Sequence, residues 1–307
     1  MDFCESYWKN LFPEEIVAEI YKRASGIDLY KGNCDIFAEA TTEPAEEQQQ
    51  AQQQNDKKKS DNPSKRKPVV VDVTRSEAVH PPDGIRKMML RGKYNRLDFG
   101  ATYNVPLSSK VCDYSRIMTS FRFVLDMDID DIKVKERGVE GGNACKQLNR
   151  TCCGTAKKLC RTCWEEYVIP LIRGTRMAIK DLFSQNTRVL FVYSGRKGFG
   201  VIIGSPALAA CMNSVHRNEI FKIINKTICG YMNTEEGEKE MTSIFDFKPT
   251  TQMGHLHKAP FSINPHTGNV ARPINENTKF DEVQIKAHQV TREMMDVWID
   301  QIKKDFL

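Results

Sequence analysis

Two aspartates one residue apart, Asp126 and Asp128, close the apolar run FRFVLDMD at residues 121–128. Alternate residues of a strand project to the same side, so the two carboxylates share a face. Side by side in a partly buried place they repel, and a hard divalent cation such as Mg²⁺ or Mn²⁺ relieves that repulsion. Asp130 extends the pattern towards a calcium loop. That loop needs Gly at its sixth position and Glu at its twelfth, where this chain has Asp131 and Arg137. The calcium reading fails. An acidic strand end facing water is the plain alternative for such a pair.

A second group follows the apolar run RVLFVY at residues 188–193. Ser194, Gly195, Arg196, Lys197 and Gly198 combine backbone freedom, a hydroxyl and two cations, which suits phosphate oxygens. The spacing is not that of a Walker A loop, and a charged hairpin turn would look the same. A third group is CCGTAKKLCRTCW. Cys152, Cys153, Cys160 and Cys163 place four thiolates within a dozen residues, which fits a closed, structural zinc site better than four buried free thiols. Cys145 is a spare. A fourth group runs from Asp246 through His255 and Lys258 to Gly268. Here a nucleotide contact competes with a Pro-rich loop packed through Phe261.

The elements that must position these groups are legible in part. Residues 13–23, PEEIVAEIYKR, read as a short amphipathic helix with Pro13 in its first turn. Residues 41–68, rich in Gln, Lys and Glu, hold almost no apolar side chains and are expected to be disordered. They divide an N-terminal part, 1–40, from the main catalytic domain, 69–307, which contains the zinc motif at 152–163. In that domain the strands 121–128 and 188–193, with a third starting at Val201, alternate with helices at 164–183, 214–232 and 283–306. The expected architecture is α/β (α+β): a mixed β-sheet flanked by helices, with an embedded zinc knot.

Composition narrows the class further. The chain has 307 residues and a formal net charge of +5, which permits a polyanionic partner without requiring one. No apolar run approaches the roughly 20 residues of a membrane-spanning helix, and the N-terminus lacks the pattern of a secretory signal. Five of the ten cysteines fall between Cys145 and Cys163, an arrangement of metal ligands in a reducing compartment. A soluble intracellular protein with no membrane contact is expected. The lysines at 57–59 and 65–67 read equally as a nuclear import signal or as a solvated charge run.

In order along the chain, these motifs resemble the small, catalytic subunit of archaeo-eukaryotic DNA primases. FVLDMDIDD, CCGTAKKLCRTCW, VYSGRKGFG and FDFKPTTQMGHLHKAPFSINPHTG match that family's sequence of motifs. YWKNLFP and KYNRLDFGATYN match its earlier segments, so the likeness spans about 7–273 without the insert.

The resemblance implies a primase fold and a two-metal nucleotidyl transferase that makes RNA primers on single-stranded DNA from NTPs. Asp126, Asp128 and Asp246 would hold two Mg²⁺ or Mn²⁺ ions, and Zn²⁺ would be structural. Ser194, Arg196, Lys197 and Lys258 would bind the triphosphate, Asp98 would lie near the sugar, and His255 would be a further site residue. The implied partners are a primase large subunit, forming a heterodimer, and a replicative DNA polymerase. The implied location is the nucleus, or a host nucleus for a virus.

Two family histidines are replaced, by Gly200 and Asn264, which predicts weaker triphosphate binding by about 1–3 kcal/mol per lost contact. His257 and His266 are candidate substitutes. Only about 45 residues separate Gly200 from Asp246, which suggests a compact form such as that of large DNA viruses of insects. Two rival functions stay open: a gap-filling repair polymerase of the same fold, and a catalytically degenerate subunit that only binds nucleic acid.

Overall fold

The computed structural model describes residues 3–30, 33–42, 69–75, 84–103, 118–129, 133–136, 139–143, 159–232, 239–252 and 255–307. Its first helices, α1 (Phe3–Asn10) and α2 (Glu14–Ser25), and the connection between them pack Tyr7, Trp8, Phe12, Val17, Ile20 and Tyr21 inward. Pro13 stands at the N-cap of α2, with ψ of 71°, and not inside its first turn. Gly26, at φ 77°, ends the helix in the left-handed region that glycine enters freely. Glu14 is buried. Its carboxylate accepts the N–H groups of Ile85 (2.8 Å) and Arg86 (3.0 Å), capping helix α3 (Gly84–Arg91), and the Tyr30 hydroxyl at 2.6 Å.

One sheet joins β1 (Asn33–Thr42), β2 (Val69–Arg75), β3 (Arg96–Tyr103), β4 (Met118–Ser120) and β11 (His257–Lys258), with β3 bonded to β1, β4 and β11. A second sheet has the order β12-β8-β9-β5, from β5 (Val124–Asp128), β8 (Arg188–Tyr193), β9 (Gly198–Gly204) and β12 (Pro273–Ile274). A third joins β6 (Lys133–Glu136), β7 (Val139–Asn143) and β10 (Lys239–Ser243). Among the described residues every strand pair is antiparallel. The expected mixed sheet is therefore corrected to three antiparallel sheets with helices. The connections here return each strand beside a neighbour running the opposite way, as hairpins do.

The β5-β9-β8 ladder shows how period-2 patterning sorts side chains. Phe123, Leu125, Met127, Phe191, Phe199, Val201 and Ile203 enter one core with Trp164, Leu171 and Ile172. Val124, Leu190, Val192 and Ile202 enter another, with α1, α2 and the C-terminal helix. Helix α4 (Ile169–Leu182), preceded by a helical turn at Arg161–Cys163 and a π-helical stretch at Trp164–Val168, covers the first core together with α5 (Ser214–Met232).

Several expected boundaries move. β1 continues through Thr42, two residues into the Gln-rich segment, whose remainder lies outside the described residues. The third expected strand begins at Gly198, because 198–200 continue the hairpin ladder with β8 and β5. The C-terminal helix, α6 (Arg292–Asp305), starts nine residues later than Val283. Lys286 pairs with Asn269, and Ala287 N–H donates to the Gly268 carbonyl at 2.9 Å, which pulls the chain out of helical form. Thr291 then caps α6, its hydroxyl accepting from Met294 N–H at 3.3 Å. No helix among the described residues is long and apolar enough to cross a membrane.

Candidate active site

β5 sits between β9 and residue 246. Asp126 faces Gly200 and Asp128 faces Gly198 on the β9 side, while Asp246 N–H donates to the Asp126 carbonyl at 2.9 Å on the other. Both strand carboxylates thus stand on the face of Val124, half-buried, as the alternation requires. Gly198 is needed there for close approach. A Cβ on it would lie 2.0 Å from the Met127 carbonyl oxygen and 2.4 Å from Asp128 Oδ1. Gly198→Ala is therefore expected to displace Asp128 and to cost about 1–3 kcal/mol through overpacking. Chemical denaturation measures this, and an unchanged midpoint would contradict it.

The Gly-rich turn is fixed through its carbonyls. Ser194 O accepts from Asn264 Nδ2 (3.1 Å), and Gly195 O accepts from Thr267 Oγ1 (2.7 Å) and Asn269 Nδ2 (3.1 Å). Arg196 O accepts from the Tyr193 hydroxyl (2.9 Å), and Lys197 O from Ile129 N–H (3.3 Å). Four carbonyl oxygens that would repel an anion are thereby turned to protein donors. Ser194 Oγ accepts from Gly198 N–H at 3.3 Å, which leaves its hydroxyl proton to donate to a ligand. Gly195 has φ 84°, and a Cβ there would meet Asn264 Cβ at 2.8 Å. Asn264 is thus part of the scaffold under the turn.

These elements enclose a cleft of about 230 Å³. It is lined from one side by Arg96, Asp98, His255 and Lys258, and from the other by Asp126, Asp128, Ser194 and Gly200. Val124, Val192 and Ile202 contribute apolar surface. Six residues selected from the sequence therefore meet: Asp98, Asp126, Asp128, Ser194, His255 and Lys258. Lys258 stands directly across the ladder from Asp98. Burial lowers its pKa, and the nearby carboxylates of Asp98 and Asp126 offset part of that.

Lys197, Asp246, Arg196 and His266 stand apart. Lys197 pairs with Asp128, Nζ to Oδ2 at 3.3 Å, at the rim. The Asp246 carboxylate accepts from Lys248 N–H at 3.1 Å. Arg196, half-buried, and His266 do not line the cleft. His257 lines it, but its ring packs near Phe121, and burial together with Arg122 holds its pKa well below the usual range. It is neutral and adds no positive charge. Gly200 has room for a side chain, since a Cβ there would meet nothing nearer than Val124 Cγ1 at 3.8 Å. Packing does not impose glycine at that position.

Oxygen donors of the type a hard cation takes are present at Asp126, Asp128 and Asp246. Among the described residues, however, no group of three or more His, Cys, Asp or Glu side chains is gathered to hold a metal. Lys197 and Lys248 N–H each engage one of the carboxylates. Of the expected zinc ligands, Cys160 stands at the N-cap of the Arg161–Cys163 turn and Cys163 ends it, with Cys160 Sγ accepting from Cys163 N–H at 3.4 Å. Cys152, Cys153 and Cys145 lie outside the described residues.

Sequence reasoning missed two charged groups. Arg96 bonds Asp98 at 2.6 Å and Glu39 at 3.4 Å. Arg96 is two residues from Asp98 on one strand, a spacing that could have marked it. Glu39 comes from β1 and had no local signal.

Fold and cleft together define an α/β protein whose two sheets bring carboxylates, a hydroxyl and cations to one place. The model of the DNA primase small subunit family matches residues 126–276. Among solved structures, the polymerase domain from Mycobacterium tuberculosis ligase D in complex with DNA aligns over 96% of this chain and 90% of that chain, with 12% identity and a TM-score of 0.46.

Proposed function

We propose that this chain is the catalytic small subunit of a DNA primase, joining NTPs into short RNA primers on single-stranded DNA. The carrying observation is the cleft, where Asp126 and Asp128 face Ser194, Lys258 and Asp98 within and beside the family-matched stretch. Ser194 and Lys258 bind and orient the incoming triphosphate through a hydroxyl proton and a cation. Lys197, on leaving Asp128, adds a second cation from the rim. Asp126, Asp128 and Asp246 would supply the oxygen ligands for Mg²⁺ or Mn²⁺, once Asp128 gives up Lys197 and Asp246 turns from Lys248. When bound, such ions supply Lewis acidity to the attacking hydroxyl and offset the charge of the pyrophosphate leaving group.

The same reading assigns Cys152, Cys153, Cys160 and Cys163 to a structural zinc. Elemental analysis should find stoichiometric zinc that is lost in Cys160→Ser/Cys163→Ser. Template contacts are ionic and salt-sensitive. A primase large subunit and a replicative polymerase are the expected partners, in a nucleus. Two features favour a second reading, a degenerate subunit that only binds nucleic acid: the replacement of a family histidine by Gly200, and the lack of gathered metal ligands among the described residues.

The test supplies labelled NTPs, unprimed single-stranded DNA and Mg²⁺ or Mn²⁺ to the purified protein, with its large subunit. Short RNA products are the expected result. Extension of a supplied primer alone would move the assignment to a gap-filling polymerase. DNA binding without any product would favour the degenerate subunit.

A further inference from the structure

Phe247 follows Asp246 directly and is 48% exposed. Its apolar neighbours are buried instead. Phe245 packs edge-on against Phe199, with ring centres 6.5 Å apart, and Pro249 is enclosed as well. The main chain is tied down on both sides of Phe247. Asp246 N–H bonds Asp126 O at 2.9 Å and Thr250 Oγ1 bonds Val124 O at 2.6 Å, so both ends hang from β5. The Phe247 carbonyl itself accepts from Thr250 N–H, Thr251 N–H and Thr251 Oγ1 at 2.8–3.2 Å. A single exposed apolar side chain needs no explanation by itself. Here, however, a fixed main chain presents an aromatic ring beside a carboxylate, with the exposed Lys248 next to it.

We propose that Phe247 is a stacking platform for the terminal base of the primer strand, the nucleotide whose 3′-hydroxyl attacks. This rests on the nucleotidyl-transfer reading above. The sheet order gives the direction. Ser194 and the Gly-rich turn lie on the β9 side of β5, and residues 246–248 lie on its other side. Phosphoryl transfer runs in line, so the attacking oxygen enters opposite the departing pyrophosphate. With the triphosphate held at the turn, the attacking strand arrives from the side of Phe247. Charge points the same way. Asp126 and Asp246 repel a phosphate, whereas a base offers a neutral face that stacks on an aromatic ring whichever base it is. Lys248 offers a cation to the phosphate behind that base.

The experiment measures extension by the full chain, with Mn²⁺, of an RNA primer on a DNA template. Three substrates are compared: the intact pair, a primer with an abasic 3′-terminal nucleotide, and a template abasic opposite an intact primer end. Both abasic forms lose the terminal base pair, but only the first loses the base that Phe247 holds. For wild type, the abasic primer should raise the primer KM about tenfold more than the abasic template does, the scale of one base–aromatic stack. In Phe247→Ala that excess should vanish while the KM for NTP stays the same, and Phe247→Trp should retain it. An alanine variant that keeps the excess would overturn the inference and leave the polymerase reading standing. A larger effect from the abasic template in wild type would assign the ring to the template strand and overturn it too. So would a parallel rise in the KM for NTP in Phe247→Ala, the mark of a merely structural role. Wild type that extends no primer would overturn the nucleotidyl-transfer reading itself, and the inference with it.

Discussion

Asp126→Asn/Asp128→Asn is expected to lower primer synthesis by at least about 10²–10³-fold, the scale on which electrostatic catalytic groups act. The two side chains stand on one face of β5, and the register opposite Gly198 and Gly200 holds them there. Asparagine keeps the shape and removes both negative charges, so folding should be preserved. Removing Asp128's charge also frees Lys197 from its ion pair. Binding of NTP in the absence of divalent ions should therefore hold or improve, while binding of Mn²⁺ falls. Parallel assays of product and of Mn²⁺ affinity check this. A double variant that still makes primers at near wild-type rate would remove these carboxylates from the mechanism.

Arg217→Leu is expected to destabilise the protein by about 3–5 kcal/mol, the range for stripping a buried charged group from its partners. Arg217 is fully buried and, among the described residues, has no carboxylate partner; it donates to five carbonyls instead. Nε bonds Thr250 O at 2.7 Å, Nη1 reaches Phe121 O, Leu208 O and Cys211 O at 3.0–3.2 Å, and Nη2 bonds Arg122 O at 2.9 Å. Its guanidinium lies over Phe121 and Phe123, 4.8 and 4.9 Å from the ring centres. Burial lowers its pKa to about 10, so it stays charged at neutral pH.

Leucine would pack against the two rings but leave five acceptors without this donor. The site should loosen with it. Phe121 and Arg122 lead into β5, and Thr250 follows Asp246 by four residues. A denaturation midpoint within experimental error of wild type would show that water or a rearranged chain replaces the arginine.

Local chemistry determined much of this protein. The alternation in FVLDMD placed both aspartates on one face, since side-chain direction in a strand depends on the residue's own position alone. RVLFVY followed by SGRKG read as a strand and turn for the same kind of reason, and residues 214–232 formed the helix their pattern predicted. The order of the motifs pointed to the family whose model matches residues 126–276.

The tertiary structure decided what depends on residues far apart in the chain. It set three antiparallel sheets where one mixed sheet was expected, because pairing partners are chosen by packing across long separations. It put Asn264, Thr267 and Asn269 under the Gly-rich turn and opposed Glu39 to Arg96 across 57 residues. Asp98 is exposed to the cleft's chemistry only because β1 and β11 flank β3 and direct Arg96 to one of its oxygens. A sequence shows which groups can accept or donate a hydrogen bond. Only the folded chain determines which of those groups already have a partner.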